Sequence, residues 1–290
     1  MSVIKGEKII FCEGKQTSLD SKLLERIVDN LPGEKPTIVG AGGKFTFSVF
    51  AEGYFFPGGL ANKRYLIFRD RDFDIIPTPH IQLLQLDKRP IFLTHRTCIE
   101  NYLLDAHLIH AYWETKYQEK IDNPRSKWGH GNSSGIEVIS AWIESSARTL
   151  KDYQAVRWAL GDLIRMNEVR VQLKTTWTGG SGELPGSLSI EDCRKDAVKL
   201  IEQFRKAIEA ITIERFESSL VKYQRQFDQP EFWEQKQYLI WFQGKDIQKA
   251  MQRQEPSYIS LENFFDVSIS QFDFTQHPDL MELRAKSEQI

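Results

Sequence analysis

Asp70 and Asp72 stand two residues apart just after a short apolar run, Tyr65 to Phe68. A run so short and so aromatic, broken soon afterwards by Pro77 and Pro79, predicts a buried strand. Side chains alternate along a strand, so the two carboxylates are expected on one side with Arg71 opposite. Like charges held together repel unless a cation lies between them, and hard divalent ions such as Mg²⁺ take oxygen ligands of this kind. Taken alone, the same residues also read as an exposed acidic turn with arginine partners.

The elements around this pair decide between those readings. Lys8-Ile-Ile-Phe-Cys12 predicts a first strand, ending at Glu13-Gly14-Lys15. Leu19, Leu23, Leu24, Ile27 and Val28 form a helical stripe from Ser18 to Asn30, capped by Ser18 or Thr17 and ended by Pro32-Gly33. Pro36 to Gly40 predicts a second strand, followed by Ala41-Gly-Gly-Lys44 and a helix over Phe45 to Glu52. Arg89 to Thr94 predicts a fourth strand after the one at Tyr65, and a helix begins near Glu100. Strand and helix in alternation build a parallel sheet with crossover helices, whose ligands collect at the carboxyl ends of the strands. Glu13, Gly40 to Lys44 and Asp70 to Asp72 all fall at such ends, so separate positions converge on one edge.

Beyond residue 105 the pattern is helical: Ala106 to Lys120, Ser134 to Leu150, Tyr153 to Leu173, and a long helix from Ser189 to about Gln226. Ser189 and Asp192 form a capping box for the last of these. Its apolar face, Ile190 through Phe216, reads as core packing, with a dimer seam as the alternative. Thr175 to Gly186 predicts a long loop or lid, and short aromatic-rich helices follow Pro230. The expected class is therefore α/β: a domain over 1–105 with a parallel four-stranded sheet flanked by helices, then a mostly helical region over 106–290.

Composition narrows the function classes. The 290 residues carry a net charge of −2, which excludes a uniformly basic nucleic-acid coat while leaving 38 Lys and Arg to build a local groove. Cys12, Cys98 and Cys193 lie far apart and make no zinc ligand set; so sparse and odd a count fits a reducing compartment. No apolar stretch approaches the ~20 residues of a membrane span, and the start lacks the order of a signal peptide. A cytoplasmic protein is expected, with no membrane contact.

A glutamate and glycine after the first strand, Glu13-Gly14, with Asp70-Arg71-Asp72 after a later one, resemble the TOPRIM domain over roughly the first 105 residues. Topoisomerases, bacterial primases, ribosomal-RNA maturases and OLD-family nucleases share that fold. Phe11-Cys-Glu-Gly-Lys15, Asp20, Arg69 to Phe73 and Ile99-Glu-Asn-Tyr-Leu-Leu104 resemble more narrowly an OLD-like subfamily found with ABC-type ATPases in bacterial defence loci, including the PARIS anti-phage nuclease subunit. Gly244-Lys245-Asp246 is similar to a Gly-Lys motif near the end of those proteins.

The resemblance implies a Mg²⁺-dependent endonuclease, with Mn²⁺ as a substitute, that cleaves DNA or RNA, transfer RNA included. Glu13, Asp70 and Asp72 would be catalytic. Glu13, Asp20, Asp70, Asp72 and Glu100 would ligate a two-metal cluster, although Asp20 also reads as a solvated residue near a cap and Glu100 as a first-turn acid on a helix dipole. Lys15, Lys44 and Arg71 would meet substrate phosphates, with surface salt bridges as their alternative. Gly40-Ala-Gly-Gly43 allows close backbone approach to a ligand but fits neither the Rossmann nor the P-loop spacing. The sequence has no Walker motif, so ATP-driven sensing is expected from a separate ABC-type ATPase, with this chain as toxic effector and a homodimer as a further expectation. The competing readings are an RNA-maturation nuclease and a non-catalytic assembly or regulatory module.

Overall fold

The computed structural model describes residues 8–42, 64–86, 89–166, 187 and 189–290. Packing divides the chain into two compact units. The first comprises residues 1–72, 76–150 and 231–290; the second comprises 73–75 and 151–230. The expected helix over Phe45 to Glu52, the loop from Thr175 to Gly186, and Lys44 lie outside the described residues.

The first unit is built on a mostly parallel sheet. Strands β1 (Ile9–Cys12), β2 (Thr37–Gly40), β3 (Tyr65–Arg69), β4 (Leu84–Gln85) and β5 (Ile91–Leu93) lie in the order β2-β1-β3-β5-β4. The four expected strands are all present, and every pairing among them is parallel. The expected count of four is corrected to five. β4 pairs antiparallel with β5 (Leu84 opposite Leu93) and is too short, at two residues, to show an alternating pattern in sequence. All four residues of β1 are buried, as a central parallel strand covered on both faces requires. Ile9, Phe11, Ala41 and Ile67 form the centre of one packed face, flanked by Val39, Tyr65 and Ile91.

Register sets the edge that matters. Cys12 lies opposite both Gly40 and Phe68, so Glu13 leaves β1 level with the end of β3, where Asp70 begins. Helix α1 (Leu19–Val28) starts one residue after its cap Ser18, whose hydroxyl accepts from the Ser21 amide. Its buried face is Leu23, Leu24, Ile27 and Val28, the stripe expected from spacing. Past β5 come α2 (Glu100–Leu103), α3 (Ala106–Asp122) and α4 (Ile136–Thr149). The break between α2 and α3 falls at Asp105, whose carboxylate accepts from the amides of His107 and Leu108.

After the second unit, residues 231–290 belong again to the sheet unit. They supply α8 (Pro230–Glu234), α9 (Tyr238–Trp241), α10 (Gly244–Gln254), α11 (Phe264–Ser268) and α12 (Pro278–Gln289). Arg284 of α12 donates to the carbonyls of Ile27, Asp29 and Asn30, closing the otherwise open C-terminal end of α1. Arg26 donates to the carbonyls of Ser270 and Phe272. In the aromatic-rich helices Trp233 and Trp241 are buried, whereas Trp128, before α4, is exposed.

The second unit holds α5 (Lys151–Arg165), α6 (Ile190–Glu209) and α7 (Ile213–Phe227). α5 and α7 pack through Trp158 and Tyr223, both fully buried, with Phe73 edge-on to the Trp158 ring. Tyr223 donates its hydroxyl proton to Asp162 at 2.8 Å. The long helix expected to run from Ser189 to Gln226 is two helices. Thr212 interrupts it as the N-cap of α7, its hydroxyl accepting from the Arg215 amide. The capping box is present at the start of α6, where Ser189 accepts from the Asp192 amide and donates to its carboxylate. Core packing does not account for the apolar face of α6, because no described side chain of that helix is buried.

Candidate metal centre

The polypeptide leaves β3 at Arg69 and turns at once, so Asp70 and Asp72 belong to a loop and not to a strand. Asp72 takes a left-handed backbone conformation, φ +50°, its amide donating to the Thr97 carbonyl at 2.8 Å. This corrects the expectation that strand alternation puts the two carboxylates side by side. Asp72 accepts instead from the side-chain amide of Gln243 at 2.7 Å.

Asp70 lies beside residues from farther along the chain. Its carboxylate accepts from the Ile99 amide at 2.9 Å, which ties the end of β3 to the start of α2. One ligand atom each of Asp70, Cys98 and Glu100 lies within 4.8 Å of the other two. Glu100 is 6% exposed; one of its oxygens is 3.1 Å from the Lys245 ammonium, and the other, Oε2, is buried without a hydrogen-bond partner among the described residues. Burial pushes the Asp70 carboxyl well above the usual range, and the charges of Glu100, Asp20 and Asp72 add to it while Lys245 opposes them.

Asp20 joins this group electrostatically. Burial raises its carboxyl and Glu100 raises it further, while a hydrogen bond from the Gly14 amide, at 2.9 Å, and Lys245 pull the other way. Thus the second residue of α1 looks back at the turn after β1 and toward the acids after β3. Gly14 has a packing reason as well, since a Cβ there would run into Ser18. Glu13 begins the same turn, half-buried at the sheet edge.

Lys245 is the counter-charge. Burial works against its ammonium, but Glu100, hydrogen-bonded to it, and then Asp70 outweigh that and hold its pKa above the ordinary lysine range. It arrives on the first turn of α10 because Gly244 has no side chain. A Cβ at Gly244 would lie 2.8 Å from the Asn101 amide nitrogen and 3.0 Å from the Glu100 carbonyl carbon. The Gly244 amide donates to Asn101 Oδ1 at 2.9 Å, and the Asn101 side chain in turn donates to the Phe242 carbonyl.

The expected phosphate contacts fare differently. Lys15 is exposed beside Gly14. Lys44 is outside the described residues. Arg71 is fully buried, its guanidinium donating to the carbonyls of His95 and Ile240 and to the Thr97 hydroxyl. The expectation that Arg71 faces substrate is therefore corrected: it braces the loop that carries Asp70 and Asp72. Asp279 of α12 braces the same loop from behind, accepting from the His95 amide and the Tyr102 hydroxyl. Gly40, the last residue of β2, also serves the chain itself, since a Cβ there would lie 2.6 Å from the Gly14 carbonyl oxygen.

The donors suit a hard cation. Asp70, Glu100 and Asp20 offer carboxylate oxygens, and the unpartnered buried oxygen of Glu100 is the kind of atom that a metal satisfies. Cys98 does not turn the site into a thiolate centre. Burial, then Glu100 and Asp70, push its thiol well up, and its sulfur donates to Asn101 Oδ1 at 2.9 Å. Cys98 and Lys245 are the residues that spacing did not assign. Lys245 was visible only as part of Gly244-Lys245-Asp246, and Cys98 only as one of three scattered cysteines.

These features define a mixed α/β protein with a mostly parallel sheet and a carboxylate cluster at the sheet's carboxyl edge. No protein-family model matches the chain, and no curated protein matches it. Among the described residues no helix is long and apolar enough to cross a membrane.

Proposed function

We propose that this chain is a Mg²⁺-dependent endonuclease of the TOPRIM type, acting on the phosphodiesters of DNA or RNA. The observation that carries this reading is the convergence of Asp70, Glu100 and Asp20, from three separate elements, on one edge of a parallel sheet with Lys245 opposite them. Such a grouping of acids raises its own pKa values and costs stability, which a purely structural role does not require.

In this reading Asp70 and Glu100 hold Mg²⁺, with Asp20 on its flank and Mn²⁺ able to substitute. Bound there, the ion supplies charge neutralisation at the phosphate and a more acidic water. Glu13, at the end of β1, serves as ligand or general base beside them. Lys245 places a positive charge at the mouth of the cluster, where phosphate oxygens enter. Asp72, fixed by Gln243, sets the field behind Asp70. Lys15 is the exposed cation nearest in sequence to this edge and is assigned to the substrate backbone.

The resemblance to nucleases that accompany ABC-type ATPases supports a wider role as the toxic effector of a two-component anti-phage system in the cytoplasm. A separate ATPase would hold or release it. The test is cleavage of plasmid DNA and of total RNA, transfer RNA included, by the purified chain with Mg²⁺ or Mn²⁺, alone and with an ATPase encoded beside it. Glu13→Ala and Asp70→Ala should each abolish cleavage. Unchanged activity in both variants would discard the site, and no cleavage under any condition would leave a non-catalytic module.

A further inference from the structure

Glu100 lies in the carboxylate cluster, but Tyr102 and Leu104, at the other end of α2, line a separate cavity of about 650 Å³. The start of α3, one face of α4, α9 and the segment 271–277 complete its walls, and it shares no residue with the cluster. Its volume is that of a small-molecule site. One wall is aromatic. His277 stacks on Phe272 with ring centroids 5.0 Å apart and stands edge-on to Tyr102 at 5.2 Å.

Arg96 brings charge to this cavity. Its guanidinium lies over the Tyr102 ring at 4.9 Å and donates one hydrogen bond, to the Asn101 carbonyl at 2.6 Å. Most of its donor fork is left for a guest, and among the described residues it makes no ion pair. Burial pushes the guanidinium below its usual range. The acids around it are engaged elsewhere. Asp105 accepts from the amides of His107 and Leu108, Asp273 from that of Thr275, and Asp279 from His95 and Tyr102. Burial and then the charge of Arg96 hold His277 down to about 4, against Asp279, so the imidazole is neutral at pH 7 and Arg96 acts alone. A partly buried cation without a carboxylate is stabilised by an oxyanion guest.

The rest of the lining says what the oxyanion is attached to. The aromatic wall suits a flat ring. Gln235 and Gln271, exposed at the rim, offer amides that donate and accept, as the edge of a base requires and an alkyl chain does not. We propose that this cavity binds a mononucleotide, its phosphate on the Arg96 fork and its base along the wall of Tyr102, Phe272 and His277.

Calorimetric titration of the full chain in EDTA tests this, with the monophosphates of adenosine, guanosine, cytidine and uridine as probes. At least one should bind once per chain in the micromolar range, and its nucleoside, inorganic phosphate and benzoate each about tenfold more weakly or worse. Arg96→Lys keeps the charge but loses the fork and should weaken binding by about tenfold or more. Leu108→Trp fills the cavity from the start of α3 without touching Arg96 and should abolish binding; melting curves check that both variants fold, and it decides alone if Arg96→Lys does not. Lys245→Ala should bind as the wild type does. No binding by any mononucleotide, benzoate binding as tightly, or unchanged affinity in Leu108→Trp would each overturn the proposal. So would binding that needs Mg²⁺ or is lost in Lys245→Ala, since the phosphate would then sit on the carboxylate cluster. None of these titrations requires cleavage, so failure of the nuclease reading alone leaves the site standing.

Discussion

Lys245 Nζ lies 3.1 Å from Glu100 Oε1, and this pair joins the first turns of two helices that the sequence separates by half its length. That contact leaves the second oxygen of Glu100 buried without a hydrogen-bond partner among the described residues. Lys245→Ala should therefore lower cleavage by about 10²-fold, the usual loss when one group aimed at developing charge is removed. The apo protein should also melt earlier, and Mg²⁺ should recover more of the melting temperature than in the wild type. Single-turnover cleavage and thermal denaturation with and without Mg²⁺ check both parts.

The pH dependence of stability follows from Asp70 and Asp20, whose carboxyls are both raised in the folded chain. A raised carboxyl favours folding while it is protonated. Its contribution is complete below the unfolded value, about 3.9, and is lost as the pH climbs through the raised folded value. Without metal, Asp70→Asn should remove part of that loss and so stabilise the protein at neutral pH. With Mg²⁺ present the order reverses, because the ion needs the ionised form and only the wild type gains from it. Melting temperature against pH, with and without Mg²⁺, reads out the crossing.

Gly244→Ala would place its new carbon 2.8 Å from the Asn101 amide nitrogen, against backbone that cannot yield cheaply. A cost of about 1–3 kcal/mol is expected from such crowding. Because the displaced helix carries Lys245, cleavage should fall further than the stability loss explains. Urea unfolding beside activity under conditions where the variant remains folded separates the two effects.

Arg71→Ala should behave as a folding variant. Its guanidinium is fully buried and donates to two carbonyls and a hydroxyl, and stranding such acceptors costs about 1–3 kcal/mol each. Loss of soluble protein or a sharply lowered urea midpoint is expected, with the substrate affinity of any folded fraction unchanged. Lys15→Ala should do the reverse, weakening nucleic-acid binding and its salt dependence while leaving the urea midpoint in place.

The strands and the carboxyl edge were legible because apolar runs such as Ile9 to Cys12 and Tyr65 to Phe68 are local signals. Those runs bring Asp70 to the carboxyl edge, whereas Glu100 joins the site in sequence only through the resemblance. Asp72 could not be placed, since its left-handed backbone ends the alternation that was meant to orient it. Arg71 was misread because its acceptors, the carbonyls of His95 and Ile240, come from distant segments. Lys245 and Cys98 acquire their meaning only when α10 packs on α2, a contact that no periodicity encodes. The split between α6 and α7 turned on one side chain, Thr212, inside an otherwise unbroken helical pattern.

Arg284 closes α1 from the last helix of the chain, and that closure has a consequence for the order of synthesis. A nascent chain that has emerged only through β5 carries Asp20 and Asp70 but lacks Lys245, the Ile240 carbonyl that holds Arg71, and the arginine that seals α1. Domains mature on the ribosome largely from the N-terminus onward, yet this one waits for residues 231–290. The carboxylate cluster therefore gains its counter-charge and its bracing only once the segment that carries Lys245 and Arg284 has been made.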